Sequence, residues 1–456
     1  MAARPDLAGA CKLAAAVTAR RISALELCDA AIARIERLDG AINAVVVRDF
    51  DRAREQARAR DAALARGDAP GPLFGVPMTV KESYNVAGLP TTWGFAHFRE
   101  HLPADDAVLV ARLKAAGAVI LGKTNVPVAL ADWQTDNPVH GRTVNPRDPT
   151  RSPGGSSGGG AAAVAAGMVP LELGSDIGGS IRVPAHFCGI FGHKPSFGLL
   201  PSRGHAFPLS DGAGVDLAVC GPMARSAADL DLALGVLAGP DVDDAAGYRL
   251  ALAAPRHTTA DGFRVLLLDT HPNARTDSAV RDALHRSADA LQRRGARIER
   301  SSELLPDLAA THKSYLAMLT TIVSRGAPPE PGARPVISAH DWFELLDARA
   351  RVRRQWRALF ETVDAVLTPP FGTAAFPLTD EAEWRKRSLA IDGEATPFGD
   401  QLAWSGMATF AGLPATVAPV ATDRDGLPIG VQVIGPYLGD RTTIAIAAQI
   451  GACAPA

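Results

Sequence analysis

The chain has 456 residues, of which 47% are hydrophobic and 21% are charged, with a formal net charge of −2. This near-neutral balance gives no bulk attraction to nucleic acids or anionic membranes, so we expect neither partner. Five widely spaced cysteines without a C-x-x-C pair argue against a disulfide framework and a zinc site. No apolar run is long enough to predict a membrane span, and charges interrupt the N-terminal segment where a signal peptide would be apolar. We therefore expect a cytoplasmic protein with no metal and no cofactor.

Predicted helices and strands alternate through the first half of the chain. Ser23-x-x-Glu26 is a capping box before an apolar stripe, which predicts a helix with one buried face. Strands are predicted over 44–47, 74–80 and 118–121, and helices over 52–65 and 106–116. The glycine-rich segment 158–166 has helix composition, and a strand is predicted over 169–173.

The second half continues this pattern, with strands over 264–268 and 364–367 and a helix over 277–294. Asp425-Gly426 lies between strand-like runs at 416–420 and 429–434, which predicts a hairpin. Prolines and glycines predict a surface loop at 326–332, and five arginines between 349 and 357 predict the solvated face of a helix. The alternation favours an α/β sheet with helices on its faces.

Two glycine- and serine-rich segments carry the densest chemical signal. The first is Ser152-Pro-Gly-Gly-Ser-Ser-Gly-Gly-Gly160, and the second is Gly174-Ser-Asp-Ile-Gly-Gly-Ser180, which follows a predicted strand. Glycines allow the backbone to approach a ligand closely. Four consecutive amides from Ile177 to Ser180 are therefore able to form a nest for an anion, such as the oxyanion of an acyl-transfer intermediate.

Three interpretations compete for the first segment. A phosphate-binding loop is excluded because no lysine follows the glycines. A nucleophile elbow matches Gly154-Gly-Ser156-Ser-Gly158, but prolines precede this serine where a strand is required, and no histidine follows His340. The third interpretation is a loop that places one serine beside another, catalytic serine.

A serine nucleophile needs a base, and Lys81 is a candidate because it closes a predicted strand and so projects from the sheet edge. A surface position is the alternative. His186 and His193 flank the second segment, and both are expected to be structural. A free lysine has a pKa of about 10.4, so deprotonation at pH 7 costs roughly 4.6 kcal/mol. A basic Lys81 must therefore be buried away from carboxylates, and we expect its neighbour Glu82 to face the opposite side of the strand.

Three motifs together resemble the amidase signature family, which uses a Ser–cis-Ser–Lys triad. They are Gly75-Val-Pro-x-x-Val-Lys81, Gly154-Gly-Ser-Ser-Gly-Gly159 and Asp176-Ile-Gly-Gly-Ser-Ile-Arg182. The resemblance covers nearly the whole chain. It is densest in a signature core at about 74–205, and it is weak in a variable, helical substrate-pocket region at about 240–360. It implies a single large domain over 1–456, with a central mixed twisted β-sheet flanked by helices on both faces.

By position, the resemblance implies that Ser180 attacks the substrate carbonyl, Ser156 relays the proton and neutral Lys81 is the base. It also implies that the Gly155–Ser156 peptide bond is cis. The backbone amides expected to form the oxyanion hole are those of Ile177, Gly178, Gly179 and Ser180.

The resemblance further implies which residues surround this triad. Asp176 and Arg182 match positions that brace the loop, while Ser157 and Ser175 extend its hydrogen bonds. The acyl-pocket wall falls at 130–133. The residues expected to bind substrate are Leu130, Trp133, Ser157 and Phe207, with Trp93 and Trp404 as further candidates.

The implied function is an amidase that hydrolyses the C–N bond of a small, uncharged or aromatic substrate through an acyl-enzyme on Ser180. Esters and carbamates (urethanes) pass through a similar tetrahedral oxyanion, so esterase and urethanase activity are included. The expected partners are the substrate and water, and the expected state is a monomer or a homodimer. Two alternatives stay open: the catalytic subunit of a glutamine-dependent tRNA amidotransferase, and a catalytically silent binding protein on the same scaffold.

Overall fold

The computed structural model of the chain describes residues 9–210, 214–324 and 337–452. The loop predicted at 326–332 lies outside the described residues. The α-helices are α1 (Ala10–Thr18), α2 (Ala24–Leu38), α3 (Phe50–Arg66), α4 (Val108–Ala115), α5 (Gly158–Ala165), α6 (Arg182–Cys188), α7 (Ala227–Leu237), α8 (Ser278–Arg293), α9 (Leu308–Val323), α10 (Ala339–Thr362), α11 (Leu402–Ala411) and α12 (Asp440–Gly451).

The strands alternate with these helices over most of the chain. They are β1 (Val45–Arg48), β2 (Pro77–Lys81), β3 (Val119–Thr124), β4 (Thr135–Asn137), β5 (Gly141–Thr143), β6 (Leu171–Asp176), β7 (Phe191–Lys194), β8 (Val219–Ala224), β9 (Arg264–Leu267), β10 (Arg297–Glu299), β11 (Ala365–Thr368), β12 (Ser388–Ile391), β13 (Glu394–Pro397), β14 (Ala415–Thr422) and β15 (Pro428–Ile434).

One large mixed sheet organises the fold. Its strand order is β1-β3-β2-β6-β8-β7-β14-β15-β11-β9-β10. The strands β3, β2 and β6 run parallel to one another, as do β11, β9 and β10, whereas the strands between these two groups pair antiparallel. The pairs β4–β5 and β12–β13 form separate small sheets. The fold is therefore the single α/β domain with a mixed sheet that was predicted.

Side chains along β15 show how both faces of this sheet are covered. Val431 and Val433 belong to a hydrophobic cluster that includes residues of α8 and α12. Ile434 belongs to another cluster, with residues of α10 and α11, and Gln432 accepts a hydrogen bond from Arg182 of α6. Since successive residues of a strand face opposite sides, helices cover both faces of the sheet.

Most predicted elements are present, with boundaries shifted by up to three residues. The strand predicted over 169–173 is β6, which continues to Asp176 and so carries Ser175 within the sheet. The capping box of Ser23 and Glu26 is formed at the start of α2, and β14 and β15 form the predicted hairpin. None of the helices in the described ranges is both long and apolar enough to cross a membrane.

The arginine-rich helix α10 corrects one expectation. Arg349 is buried, and its Nε donates a hydrogen bond to the Phe410 carbonyl at 2.9 Å, while Nε of Arg353 donates to the Ala411 carbonyl at 2.9 Å. Both guanidinium groups therefore bind the C-terminal carbonyls of α11, where the helix dipole favours a cation. The other three arginines of the cluster are exposed, as predicted for a solvated face.

Candidate active site

Lys81 is the last residue of β2 and lies at the end of the parallel strands β3, β2 and β6. In the sheet register it is opposite Thr124, the last residue of β3. The side chain is fully buried. Its ammonium donates hydrogen bonds to Ser156 Oγ at 2.7 Å and to Ser175 Oγ at 3.0 Å. At the end of the strand the lysine thus contacts two serine hydroxyls rather than a carboxylate.

Burial lowers the pKa of Lys81 from its ordinary 10.5 to about 7, because the buried ammonium loses its hydration. Electrostatic interactions with Asp176, Cys220 and Glu172 oppose this effect without outweighing it. Glu82 does not contribute, since its carboxylate instead accepts two backbone N–H groups at 2.5 and 3.0 Å. Lys81 is therefore able to lose its proton near neutral pH, as a lysine base requires.

The first glycine-rich segment places Ser156 beside Lys81. The Gly155–Ser156 peptide bond is cis, as expected. A Cβ atom added at Gly155 would lie 2.3 Å from the Asp132 carbonyl oxygen, which is far inside van der Waals contact, so no larger residue fits here. Ser156 itself is 1% exposed. The segment thus holds a buried serine hydroxyl against the lysine.

Ser180 lies beside this segment and is 5% exposed. The Ser157 N–H donates to the Ser180 carbonyl at 3.2 Å, and the Ser157 hydroxyl donates to the Ser175 carbonyl at 3.2 Å. Within the described ranges, no hydrogen bond joins the Ser180 hydroxyl to Ser156. The fold therefore brings Lys81 and both predicted serines into one site, and backbone contacts hold the two serine segments together.

The loop from Asp176 to Arg182 is braced by a buried ion pair between these two residues. Arg182 donates to Asp176 through Nε at 3.0 Å and Nη2 at 2.8 Å, and the same carboxylate accepts the N–H groups of Gly179 and Ile181, each at 3.0 Å. Burial raises the pKa of Asp176, but Arg182 and these hydrogen bonds outweigh it and lower the pKa to about 2. The ionised carboxylate thus fixes the backbone before and after Ser180, as expected of a bracing pair.

Two aromatic side chains orient the amides of this loop. The Tyr315 hydroxyl donates to the Ile177 carbonyl at 2.9 Å, and the Trp133 indole N–H donates to the Gly178 carbonyl at 3.0 Å. In a planar trans peptide the N–H of the next residue points away from the carbonyl. Tyr315 therefore aims the Gly178 N–H away from itself, and Trp133 does the same for the Gly179 N–H.

The four predicted oxyanion-hole amides consequently differ. The Gly179 N–H is used by the Asp176 carboxylate at 3.0 Å. For the N–H groups of Ile177, Gly178 and Ser180, no acceptor is found in the part of the chain that the structure describes. These three amides are therefore the candidates to bind an oxyanion.

The predicted substrate-binding residues occupy different environments. Trp133 and Ser157 are buried, and their polar groups hold the backbone of the site. Leu130 is half-buried and has a positive φ of 58°, while Phe207 is 43% exposed. Trp404, a further candidate, is fully buried in the hydrophobic cluster of α10 and α11 and belongs to the core.

Phe207 is part of a partly exposed cluster of aromatic side chains, which we call the aromatic rim. Its ring centroid lies 5.8 Å from that of Trp93, 5.4 Å from that of Phe95 and 5.5 Å from that of Phe98. All three pairs have edge-to-face geometry, the favoured arrangement of aromatic pairs. The rim therefore presents several ring surfaces with no charged group among its members.

His205 connects this rim to Lys81. Its ring lies 5.4 Å from that of Trp93 and 4.4 Å from that of Tyr84, and the Tyr84 hydroxyl donates to the Gly174 carbonyl at 2.7 Å. Burial, together with the nearby charge of Lys81, lowers the pKa of His205 to about 3. A neutral imidazole thus packs against the rim, where the charge of Lys81 still acts on it.

The two histidines that flank the second segment are structural, as expected. His186 accepts the Gly430 N–H at 2.7 Å, and its other ring nitrogen contacts the Thr373 carbonyl at 2.9 Å. His193 lies between Thr416 Oγ1 at 2.9 Å and Asp440 at 3.1 Å. Both rings are fully buried, so neither offers a free nitrogen to a substrate.

Sequence reasoning missed three residues of this site: Tyr84, Glu172 and Tyr315. Tyr84 follows Lys81 closely, and Glu172 lies on the strand before the second serine segment, so proximity to the motifs was a usable signal for both. Tyr315 is 138 residues from the carbonyl that it binds, and it belongs to the region that carries no motif. No local pattern could have identified it.

Comparisons with known proteins show which proteins this chain is similar to. A family model described as Amidase matches residues 26–325 and 335–444. The chain is 34% identical to the indoleacetamide hydrolase of Bradyrhizobium diazoefficiens, over 95% of this chain and 84% of that protein. It is 33% identical to a glutamyl-tRNA(Gln) amidotransferase subunit of Moorella thermoacetica, over 93% of this chain and 92% of that protein. A solved bacterial aryl acylamidase of the amidase signature family has a TM-score of 0.84 and 27% identity, over 98% of this chain and 96% of that one.

Proposed function

The chain belongs to the amidase family, and from this premise we propose that it cleaves the C–N bond of a small, uncharged amide through an acyl-enzyme on Ser180. The observation that carries the proposal is the 2.7 Å hydrogen bond from the buried Lys81 ammonium to Ser156 Oγ. A lysine of ordinary pKa would hold its proton, whereas a lysine with a pKa of about 7 exchanges protons with a serine hydroxyl near neutral pH.

In the first step Ser180 Oγ attacks the substrate carbonyl, its proton passes to Ser156, and the Ser156 proton passes to neutral Lys81. The tetrahedral intermediate then collapses as the C–N bond breaks, and the leaving amine takes the proton back from Lys81 through Ser156. Water next attacks the ester on Ser180 with the same relay, which releases the carboxylic acid and restores the free serine.

The oxyanion formed in each step is proposed to bind the N–H groups of Ile177, Gly178 and Ser180. Donors held in place before the reaction stabilise a developing charge without reorganisation. Tyr315 and Trp133 provide this preorganisation by binding the carbonyls of the same loop. In this proposal the Gly179 amide contributes indirectly, because its hydrogen bond to Asp176 holds the loop in shape.

The proposed substrate carries an aromatic or otherwise apolar group. The aromatic rim contacts His205, a residue on which the charge of Lys81 acts, and Phe207 and its neighbours offer ring faces and edges to such a group. His205, at the base of the rim, is neutral at physiological pH, so no charge there favours an ionic substrate. Esters and carbamates with the same groups fit the same chemistry, since they form the same kind of oxyanion.

The test is a panel of aryl amides, esters and carbamates, measured as kcat/KM with the wild type and with Ser180→Ala. We expect hydrolysis by the wild type, and loss of turnover by several orders of magnitude in Ser180→Ala with an unchanged circular dichroism spectrum. The matched control is Ser210→Ala, an exposed serine, which should retain full activity. Retention of more than about a tenth of the activity in Ser180→Ala would sink the nucleophile assignment.

The pH profile tests the base. We expect kcat/KM to rise from acid into mildly alkaline pH as Lys81 loses its proton. Lys81→Ala should remove this rise together with most of the activity. Lys81→Arg should also fail, since arginine keeps its proton at any working pH. A rise that survives in Lys81→Ala but disappears when His205 is replaced would identify a histidine base instead.

A second candidate function is the catalytic subunit of a glutamine-dependent tRNA amidotransferase, favoured by the 33% identity to the amidotransferase subunit of Moorella. This function requires partner subunits, whereas the amidase proposal requires only the substrate, water and a monomer or homodimer of this chain. Gel filtration of the pure protein and a glutaminase assay separate the two. Glutamine hydrolysis without turnover of any aryl substrate would favour the amidotransferase function.

A catalytically silent scaffold is tested separately with a fluorophosphonate probe. The probe should label the wild type at Ser180 and leave Ser180→Ala unlabelled, because only an activated serine reacts. An unlabelled wild type would favour a binding protein.

A further inference from the structure

Glu172 is a fully buried carboxyl group in the middle of the sheet, close to the proposed base. It lies on β6, and its Oε1 accepts a hydrogen bond from Thr124 Oγ1 of β3 at 2.6 Å. Its Oε2 is bound by Thr79 Oγ1 of β2. Both oxygens therefore meet neutral hydroxyls, and neither forms an ion pair with a residue in the described ranges.

The sheet register places this carboxyl on the same face as Lys81. Glu172 pairs with Thr79, and Lys81 pairs with Thr124. Because residues two apart on a strand share a face, Thr79 and Lys81 point to the same side of β2. Both threonines that bind the carboxyl are thus neighbours of Lys81. Thr79 lies two residues before it on β2, and Thr124 pairs with it from β3.

Few other titratable groups face this carboxyl, and one of them is Tyr84, whose pKa is raised by burial and also by Glu172. On β6 the nearest is Asp176, which Arg182 holds ionised, and on β8 the register partner of Glu172 is Met223. Cys220 of β8 acts on Lys81 rather than on Glu172. From the helix side, α5 packs so closely that a Cβ at Gly160 would lie 2.5 Å from the Glu172 side chain.

The mutual influence of the two groups follows from this burial. An isolated buried carboxylate is costly, and burial raises the pKa of Glu172 to about 8, with the two threonine hydrogen bonds and the charge of Lys81 acting in the opposite direction. Burial lowers the pKa of Lys81 to about 7, and the charge of Glu172 opposes it. The charge of each group therefore acts on the protonation of the other.

We propose that Glu172 is a positioning residue for the base, in that Lys81 and Glu172 titrate as one coupled pair and the Glu172 carboxyl sets the pH at which Lys81 becomes free to accept a proton. The inference rests on the proposed function of Lys81. With one proton on the pair, it is either an ammonium with a carboxylate or a neutral amine with a neutral acid, and both have the same net charge. Only the second arrangement contains the base, and an ionised Glu172 opposes it because the carboxylate stabilises the Lys81 ammonium.

The experiment is the pH profile of kcat/KM for Glu172→Gln. Glutamine keeps the shape and the hydrogen-bonding atoms but cannot ionise, so the rising limb should move to lower pH. If the limb moves by one pH unit, the two proteins differ most clearly at the pH one unit below the wild-type midpoint. At that pH about a tenth of the wild type is active, compared with about a half of Glu172→Gln. The matched control is Glu82→Gln, which removes a buried carboxyl one residue from Lys81 that faces elsewhere. This control should leave the midpoint of the limb in place.

Infrared spectroscopy gives a second readout that needs no Glu172 variant. The carboxylic-acid C=O band of the wild type should disappear over the same pH range in which activity rises, and Thr124→Val should shift that band by removing the bond to Oε1. A Glu172→Gln limb that superimposes on the wild type, or a band that Thr124→Val leaves unmoved, overturns the inference. Activity that survives in Ser180→Ala or Lys81→Ala would instead overturn the proposed function, so the two failures are distinguishable.

Discussion

Replacing the proposed base by an apolar residue of similar length, Lys81→Met, should abolish activity and at the same time stabilise the fold below neutral pH. The reason is that Lys81 is fully buried, with a pKa of about 7 instead of 10.5. Burying the ammonium costs free energy, because it loses the hydration that the same group keeps in the unfolded chain. Methionine fills a similar volume without a charge, so this cost disappears.

The size of the gain follows from the linkage between pKa and stability. Because the folded pKa is the lower one, the unfolded state binds more protons between pH 7 and 10.5, and wild-type stability rises with pH across this window. The cost is largest below pH 7, where it amounts to about 5 kcal/mol. Methionine also loses the hydrogen bonds to Ser156 and Ser175, worth about 1–2 kcal/mol together. The net gain is therefore about 3 kcal/mol near pH 6 and about zero near pH 9.

Urea denaturation of the wild type and Lys81→Met at pH 6 and pH 9 measures this difference. The control is Lys386→Met, whose ammonium lies at the surface beside Glu383 and should show no such dependence on pH. A stability difference between wild type and Lys81→Met that is equal at both pH values would refute the reasoning. So would a Lys81→Met protein that is less stable than the wild type at pH 6.

Three further substitutions test the supports of the site. Asp176→Asn should cost about 3–5 kcal/mol in urea denaturation and most of the activity, because it leaves the Arg182 charge buried without its partner. Tyr315→Phe removes the hydrogen bond to the Ile177 carbonyl, worth about 0.5–1.5 kcal/mol, and should lower kcat up to about tenfold with little change in KM. Arg353→Met should lower stability by about 0.5–1 kcal/mol through the uncapped end of α11 and leave kcat/KM unchanged.

Each of these variants has an exposed counterpart of the same chemistry. Asp68→Asn, Tyr248→Phe and Arg354→Met change surface residues and should match the wild type. The reasoning fails for the brace if Asp176→Asn is as stable as Asp68→Asn. The role of Tyr315 in the oxyanion loop is refuted if Tyr315→Phe raises KM and leaves kcat unchanged. The helix cap is refuted if Arg353→Met and Arg354→Met are equally stable.

The sequence by itself determined the parts of the site that depend on short segments. The glycines around Ser156 and before Ser180 are required by local backbone geometry and close approach, as the absence of space for a Cβ at Gly155 illustrates, so they are visible as a motif. The position of Lys81 at a strand end is also local, and the alternation of elements was enough to predict the α/β sheet. These features can be recognised in the sequence because residues close together in the chain produce them.

The tertiary structure decided what surrounds those segments. Tyr315 orients an amide 138 residues away, and Arg182 binds Gln432 at a separation of 250 residues. Trp133 stays a predicted substrate-binding residue, and the structure adds that it is buried and that its indole N–H donates to the Gly178 carbonyl. A tryptophan has both an apolar surface and one N–H donor, and sequence alone does not tell which of them the fold uses.

The proton affinity of the proposed base belongs to this second group. Sequence supplies a lysine and the condition that its pKa must fall, but the fall comes from the loss of water around Nζ, which requires the packed sheet and the two serine segments together. The influence of Glu172 also depends on the register of β2, β3 and β6, since a shift by one residue would turn its side chain to the other face. The sequence specifies which side chain stands at each position, whereas the solvation and the electrostatic environment of a single atom depend on the residues that the fold packs around it.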